Sequence, residues 1–197
     1  MPPNTILILG AGPRVGWSVA QKFKAEGYKV AIGSRNPDIT AATNAGFLPI
    51  TVDLTNIQSV EAAFTLVTKS LGIPNVVVYN GEEFPIALLM TRFTKTSLSV
   101  AANLTFPKDP TKPFNSIDPE TYVRDLNLNV VGAYVAIREA VEGFEQLDPE
   151  MPKAFIATGN VLPWQPLASG FTLGSGKAAL VHLINVGAEA YKGSNCR

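Results

Sequence analysis

Ile6-Leu7-Ile8-Leu9-Gly10-Ala11-Gly12-Pro13-Arg14-Val15-Gly16 is the stretch on which the reading of this 197-residue chain turns. An apolar run opens it, three glycines follow at G-x-G-x-x-x-G spacing, and Trp17-Ser18-Val19-Ala20-Gln21-Lys22-Phe23 then repeats apolar residues at helical intervals. The order is strand, tight turn, helix. Glycine lets the backbone turn sharply and approach a pyrophosphate closely, and a helix N-terminus offers free N–H groups and a positive dipole end to phosphates. The stretch therefore reads as a dinucleotide cradle, with Gly10, Gly12, Arg14, Val15 and Gly16 around the phosphates.

Composition narrows the class. Nearly half of the residues are hydrophobic (46%) and 16 basic residues balance 16 acidic ones, so a single well-filled domain over 1–197 is expected, with no basic stripe for nucleic acid. A small molecule is the expected partner. The single Cys196 cannot close an internal disulfide, which fits a reducing, cytoplasmic setting. The N-terminus runs almost directly into the first strand without a basic leader, and no apolar run is long enough for a bilayer.

Past the first helix, strand and helix alternate. Gly27 stops that helix, and Tyr28–Gly33 reads as strand two, followed by Ser34-Arg35-Asn36-Pro37. In a Rossmann-type unit an acidic residue at the end of strand two holds the ribose hydroxyls of NAD, whereas an arginine there pairs with a 2′-phosphate. Arg35 holds that position, with Arg14 as a second phosphate contact, so NADP(H) is favoured over NAD(H). The plain alternative is a solvated turn residue. Residues Phe47–Val52 form a third apolar run ending in Asp53-Leu54, and Thr55-Asn56-Ile57-Gln58 has the form of a capping box for a helix ending near Gly72. Pro74–Asn80 is a fourth, almost continuously β-branched run, expected to be central and parallel. Repeated β-then-α units imply a doubly wound parallel α/β sheet in three layers.

These features resemble the short-chain dehydrogenase/reductase family, whose members share a glycine turn, an acidic residue after strand three that touches adenine, and an Asn-Ala-Gly-like turn after strand four. Asp53, with Leu54 beside it, and Asn80-Gly81 match the second and third. The glycine turn is a variant: aligned on Gly10 and Gly16, the family's Thr is Leu9, its middle Gly is Arg14, and Gly12 is extra. Asp118-Pro119-Glu120 reads as an N-cap with Pro at the first helical position. It opens a long helix with Tyr122, Leu126, Val130, Ala133, Ile137, Val141 and Phe144 on one face. Within that helix, Asn127–Gly132 resembles the family segment whose Asn completes a catalytic tetrad, which places Asn129 there. Lys153–Thr158 is the expected fifth strand.

Leu173-Gly174-Ser175-Gly176-Lys177 resembles the family's Y-x-x-x-K element, with Lys177 on the Lys. The Tyr position is Leu173 and the upstream Ser position is Asn160. The resemblance thus implies Asn129 and Lys177 as retained catalytic residues and Asn160 as a hydrogen-bond donor that is no acid near neutral pH. Lys177 also holds the nicotinamide ribose in that scheme. Of the substitute acids, Thr172 and Ser175 are unperturbed hydroxyls, Tyr134, Tyr191 and His182 are expected to pack or face solvent, and Lys177 acts only if desolvated. The segment 81–100 reads as an insertion, because its removal joins Tyr79-Asn80 to Ala101-Ala102-Asn103. It is either retained untranslated sequence or a lid-bearing loop, and the C-terminus is short for the family. Three readings stay open: an oxidoreductase of small carbonyls or alcohols, an inactive nucleotide binder, and a partial gene product. By resemblance the protein forms a homodimer or homotetramer, using the small residues Gly132-Ala133 and Ala178-Ala179 at the helix contact.

Overall fold

The computed structural model describes residues 4–81 and 105–197. Five parallel strands form one sheet in the order β3-β2-β1-β4-β5. They are β1 (Thr5–Leu9), β2 (Lys29–Ser34), β3 (Leu48–Thr51), β4 (Val76–Tyr79) and β5 (Ala154–Ala157). The doubly wound α/β architecture expected above is the one observed. Strands β1 and β4 are buried along their whole length, as their unbroken apolar character requires of central parallel strands.

Alternation along the strands feeds two cores. Leu7, Leu9, Val77 and Tyr79 point into one, under α3 (Ile57–Leu71), α5 (Gly132–Phe144) and α6 (Phe171–Ala190). Ile6, Ile8, Val76 and Val78 point into the other, under α1 (Val15–Ala25) and α2 (Ile39–Asn44), where Trp17 meets Phe47 edge-on at 5.3 Å. Each fully buried aliphatic side chain contributes about 1.5–3 kcal/mol of apolar burial.

Local signals set the helix ends. Gly27 and Gly72, both at positive φ, follow α1 and α3. Asp118 caps α4 (Pro119–Leu126) by accepting the Thr121 N–H at 2.8 Å, with Pro119 at the first position. The capping box at Thr55 is corrected: Asn56 is the cap of α3, accepting from the Ser59 N–H at 3.0 Å. Thr55 instead gives its N–H and hydroxyl to the Asp53 carboxylate at 2.9 and 2.8 Å, a local side-chain turn that competes with capping.

The long helix after Asp118 is not uniform. A π turn, Asn127–Val131, separates α4 from α5. The face read as core is also displaced in part: Ala133 and Phe144 are buried as expected, but Leu126, Val130, Ile137 and Val141 are only partly buried, whereas Asp125, Asn129, Gly132, Val135, Ala136 and Ala140 are buried. Closeness explains the displacement. A Cβ on Gly132 would lie 2.1 Å from the Leu54 carbonyl oxygen, so the small residues face the sheet and several large apolar ones flank it. On the outer surface, Arg138 of α5 bridges to Glu61 of α3 at 2.5 Å and to Glu139 at 2.7 Å.

The last residues return to the sheet. Cys196 bridges Lys153 in parallel, with the Phe155 N–H donating to the Arg197 carbonyl at 2.9 Å, so the tail runs along the outer edge of β5. Burial pushes the Cys196 thiol up, against the lowering pull of Lys153. The segment 81–100 read as an insertion lies, apart from Gly81, outside the described residues, as do Ala101–Asn103.

Candidate cofactor and catalytic site

The carboxyl ends of the strands line up and carry the site. At β1, the Gly10 and Ala11 N–H groups both donate to the Gly33 carbonyl, at 2.9 and 2.8 Å, which folds the glycine turn against the end of β2. Gly10 adopts φ +85°, and a Cβ there would sit 2.0 Å from the Asn80 carbonyl oxygen. At Gly16 a Cβ would sit 2.5 Å from the Ala11 Cα, so the first turn of α1 lies directly on the glycine turn. Helix α1 begins at Val15, with Arg14 at the N-cap position making no side-chain cap bond, and among the described residues nothing accepts from the N–H groups of Arg14, Val15 or Gly16. Uncapped N–H groups behind a turn too tight for a side chain suit an anion such as pyrophosphate. Arg14 and Val15 are exposed at the crest, and Gly12 donates its N–H to the Gly10 carbonyl at 2.9 Å.

Arg35 follows β2, is exposed, and lies two residues beyond the carbonyl that receives the glycine turn. The Val52 N–H donates to the Ser34 carbonyl at 2.9 Å, which brings Asp53 beside this edge. Asp53 is exposed, whereas the Leu54 side chain is buried in the core beneath it. On the other side of β1, Asn80 donates its backbone N–H to the Leu9 carbonyl at 2.7 Å and its Nδ2 to the Gly10 carbonyl at 2.8 Å. Gly81 follows, where a Cβ would lie 2.8 Å from the Tyr79 ring.

The second half of the site is held from β4 and β5. Tyr79 is buried, and its hydroxyl donates to the Leu128 carbonyl at 2.6 Å, inside the π turn. Gly132 closes that turn and leaves room for the Tyr79 hydroxyl, which a Cβ would approach to 2.9 Å. Asn129, 3% exposed, faces α6, and its Nδ2 donates to the Asp125 carbonyl at 3.0 Å. Gly176 lets α6 pass, since a Cβ there would meet the Asn129 Cβ at 2.6 Å. Next to it Lys177, 1% exposed, donates from Nζ to the Thr158 carbonyl at 2.8 Å, just past the end of β5. Asn129 and Lys177 are thus brought to adjoining positions at the strand ends.

Asn160 sits on the connection from β5 to α6. Its Oδ1 accepts from the Leu162 N–H at 3.0 Å, which fixes the amide's orientation, and its Nδ2 is buried without an acceptor among the described residues. Leu173 is 3% exposed on the first turn of α6. Ser175 does not belong to the site: it lies about 160° around the helix from Lys177. Its hydroxyl donates to the Thr172 carbonyl at 2.9 Å and accepts from the Tyr122 hydroxyl at 3.1 Å. Thr172 is buried, with its hydroxyl turned to the Thr105 carbonyl at 3.5 Å. His182 is exposed on α6, as its helix-surface reading expects, whereas Tyr134 is exposed on α5 rather than packed as expected. Sequence reasoning missed Thr158, Tyr79 and Gly176, and its placement of Gly132-Ala133 at a contact between copies is corrected: both are buried inside the chain, Gly132 against Leu54 and Tyr79. Glycine inside a helical pattern signals a close approach, and would have found Gly176.

No protein-family model matches the chain. It is 36% identical over 191 residues to a short chain dehydrogenase/reductase of Cryptosporiopsis sp., covering 97% of this chain and 72% of that protein. The chain belongs to the short-chain dehydrogenase/reductase family. Solved structures of the same fold include a short chain dehydrogenase from Mycobacterium smegmatis, with TM-score 0.78 and 18% identity over 99% of this chain and 74% of that one. Another is a 3-ketoacyl-(acyl-carrier-protein) reductase from Brucella melitensis complexed with NADH, with TM-score 0.76 and 19% identity over 98% and 72%. This short-chain dehydrogenase/reductase homologue carries its glycine turn and its Asn129–Lys177 pair at the strand ends of a five-stranded parallel sheet. No described helix is long and apolar enough to cross a membrane.

Proposed function

We propose that this short-chain dehydrogenase/reductase homologue binds NADP(H) in preference to NAD(H) and serves an oxidoreductase reaction on a small carbonyl or alcohol. The observation that carries the reading is the Gly10 turn, packed to within a missing Cβ of Asn80 and backed by an uncapped helix. Gly10, Gly12, Gly16 and the N–H groups at Arg14 and Val15 hold the pyrophosphate; Asp53 and Leu54 flank the adenine side; Asn80 and Gly81 close the turn. Arg35 and Arg14 supply positive charge for a 2′-phosphate, where an acidic residue would favour free ribose hydroxyls.

A nicotinamide held in this site supplies or accepts the hydride. Lys177 binds the ribose, and its ammonium is held in place by Thr158. Asn160 offers Nδ2 to the substrate oxygen, an N–H that polarises a carbonyl without giving up its proton. By resemblance Leu173 stands in the family's tyrosine position and Asn160 in its serine position, so the proton comes from elsewhere; Lys177, buried and therefore desolvated, is the substitute this reading assigns. A second reading, a nucleotide binder without turnover, is favoured by one observation: Leu173 is buried where the family places its phenol, and neither Thr172 nor Ser175 turns a hydroxyl toward Lys177. In either reading the half-buried Leu126, Val130, Ile137 and Val141, with exposed Tyr134, give a second copy a surface to cover.

Fluorescence titration with NADPH and NADH in parallel tests the cradle. Micromolar binding that prefers NADPH, with the preference falling on Arg35→Ala, is the expected result. Equal affinities unaffected by Arg35→Ala would remove the 2′-phosphate contact, and binding of neither nucleotide would remove the cradle.

A further inference from the structure

Residues 79–81 place two demands on adjacent positions. Position 80 needs an amide, because Nδ2 donates to the Gly10 carbonyl at 2.8 Å and ties β4 to the glycine turn. Position 81 needs glycine, because a Cβ would lie 2.8 Å from a Tyr79 ring that is buried and anchored to Leu128. Together they impose an Asn-Gly pair, Asn80-Gly81, which occurs once in the chain. In such a pair the following backbone nitrogen reaches the side-chain amide carbon with least obstruction, since glycine has no Cβ and samples backbone angles closed to other residues.

We propose that Asn80 is a deamidation site, that the closed turn suppresses the reaction, and that its occurrence undoes the turn for good. The Gly81 nitrogen attacks Asn80 Cγ and gives up its proton; the Cγ–Nδ2 bond breaks and ammonia leaves. Water then opens the resulting succinimide at either carbonyl, giving aspartate or isoaspartate. Only water is consumed.

The fold opposes the first step. Asn80 is 7% exposed, its Nδ2 is engaged with Gly10, and its backbone N–H is engaged with Leu9. The side chain must leave the Gly10 carbonyl before Cγ can turn toward Gly81, so the reaction passes through an opened turn. The product cannot close it again. A carboxylate donates nothing to the Gly10 oxygen and repels it, and isoaspartate also lengthens the main chain where Gly81 must clear Tyr79.

Peptide mass mapping of the full chain, kept folded or in denaturant at mildly alkaline pH, tests this. Asn80 should be the first asparagine converted in denaturant, and its conversion should be at least about tenfold slower in the folded protein, because opening precedes attack. The converted fraction, separated by charge, should melt about 3–10 °C lower than the unconverted protein. Asn80→Asp should melt with it. If that variant does not fold, the aged wild type, which folded with its amide intact, supplies the comparison. Equal conversion rates in the folded and denatured chains would overturn the protective role of the turn. A converted protein that melts with the unconverted one would overturn the damage.

Discussion

Gly10→Ala and Gly27→Ala form a matched pair. Both glycines have nearly the same left-handed φ, +85° and +84°. A methyl group at Gly27 meets nothing within 4 Å, whereas at Gly10 it lies 2.0 Å from the Asn80 oxygen. That is well short of the ~3.3 Å at which a carbon and a carbonyl oxygen normally rest. The left-handed conformation costs a non-glycine residue about 1–2 kcal/mol, offset in part by about 0.4–1 kcal/mol from a less flexible unfolded chain. Gly27→Ala should therefore cost about 1 kcal/mol. Gly10→Ala adds the steric penalty of an overfilled site, about 1–3 kcal/mol, because the obstructing atom is backbone and β4 must move. Urea unfolding should show a midpoint shift severalfold larger for Gly10→Ala at unchanged slope, and melting should fall by roughly 4–16 °C against roughly 2–4 °C. NADPH affinity should drop for Gly10→Ala and hold for Gly27→Ala. Equal destabilisation by the two would refute the reasoning, since conformation alone would then account for the glycine.

Tyr79→Phe leaves the Leu128 carbonyl without its donor and should cost about 1–3 kcal/mol by urea unfolding; a loss below about 0.5 kcal/mol would show the π turn to be self-sufficient. Under the proposed reading Leu173→Tyr combined with Asn160→Ser supplies the missing acid and its partner, and steady-state turnover of NADPH with a small ketone should rise by about 10²–10⁴, the usual contribution of a placed acid. No rise in a folded, nucleotide-binding double variant would locate the missing element outside these two positions. The Asp118 carboxyl lies below its ordinary value of 3.8 because Thr121 donates both its N–H and its hydroxyl to it. Its contribution is complete above that ordinary value and is lost as acidification passes through the lower folded value. Melting temperatures of Asp118→Asn across the acid range should show a flatter acid limb than wild type.

The parallel sheet was legible because its signals are local and redundant. Apolar runs, glycine stops after α1 and α3, and the Asp118-Pro119 cap all agree, and consistency across levels is what specifies a fold. Strand ends also located Asn80, Arg35 and Asp53 with respect to the cradle. The phase of the helix through Asn129 was not legible. Periodicity ranks residues by hydrophobicity, and there several large apolar residues flank the contact while glycine and alanine, with Val135 and Phe144, make it. The cap of α3 was misassigned by one residue because Thr55 and Asn56 are both good caps, and only the competing Asp53 carboxylate decides between them. Thr158 as the acceptor for Lys177 was invisible, since a main-chain carbonyl leaves no mark on sequence.

Tyr79 and Asn80 are neighbours on one strand end, and the pleat sends their side chains to different places. The phenol goes down to the π turn behind Asn129, and the amide goes across to the glycine turn. The glycine-turn half and the Asn129 half of the strand-end surface thus share a single alignment mark. A slip of β4 by one residue against β1 would exchange the two faces and misplace both halves together. Insertions beyond Gly81 leave that mark untouched, whereas a single residue gained or lost between Gly72 and Val76 shifts it. Length variation in this chain is therefore cheap on one side of β4 and costly on the other.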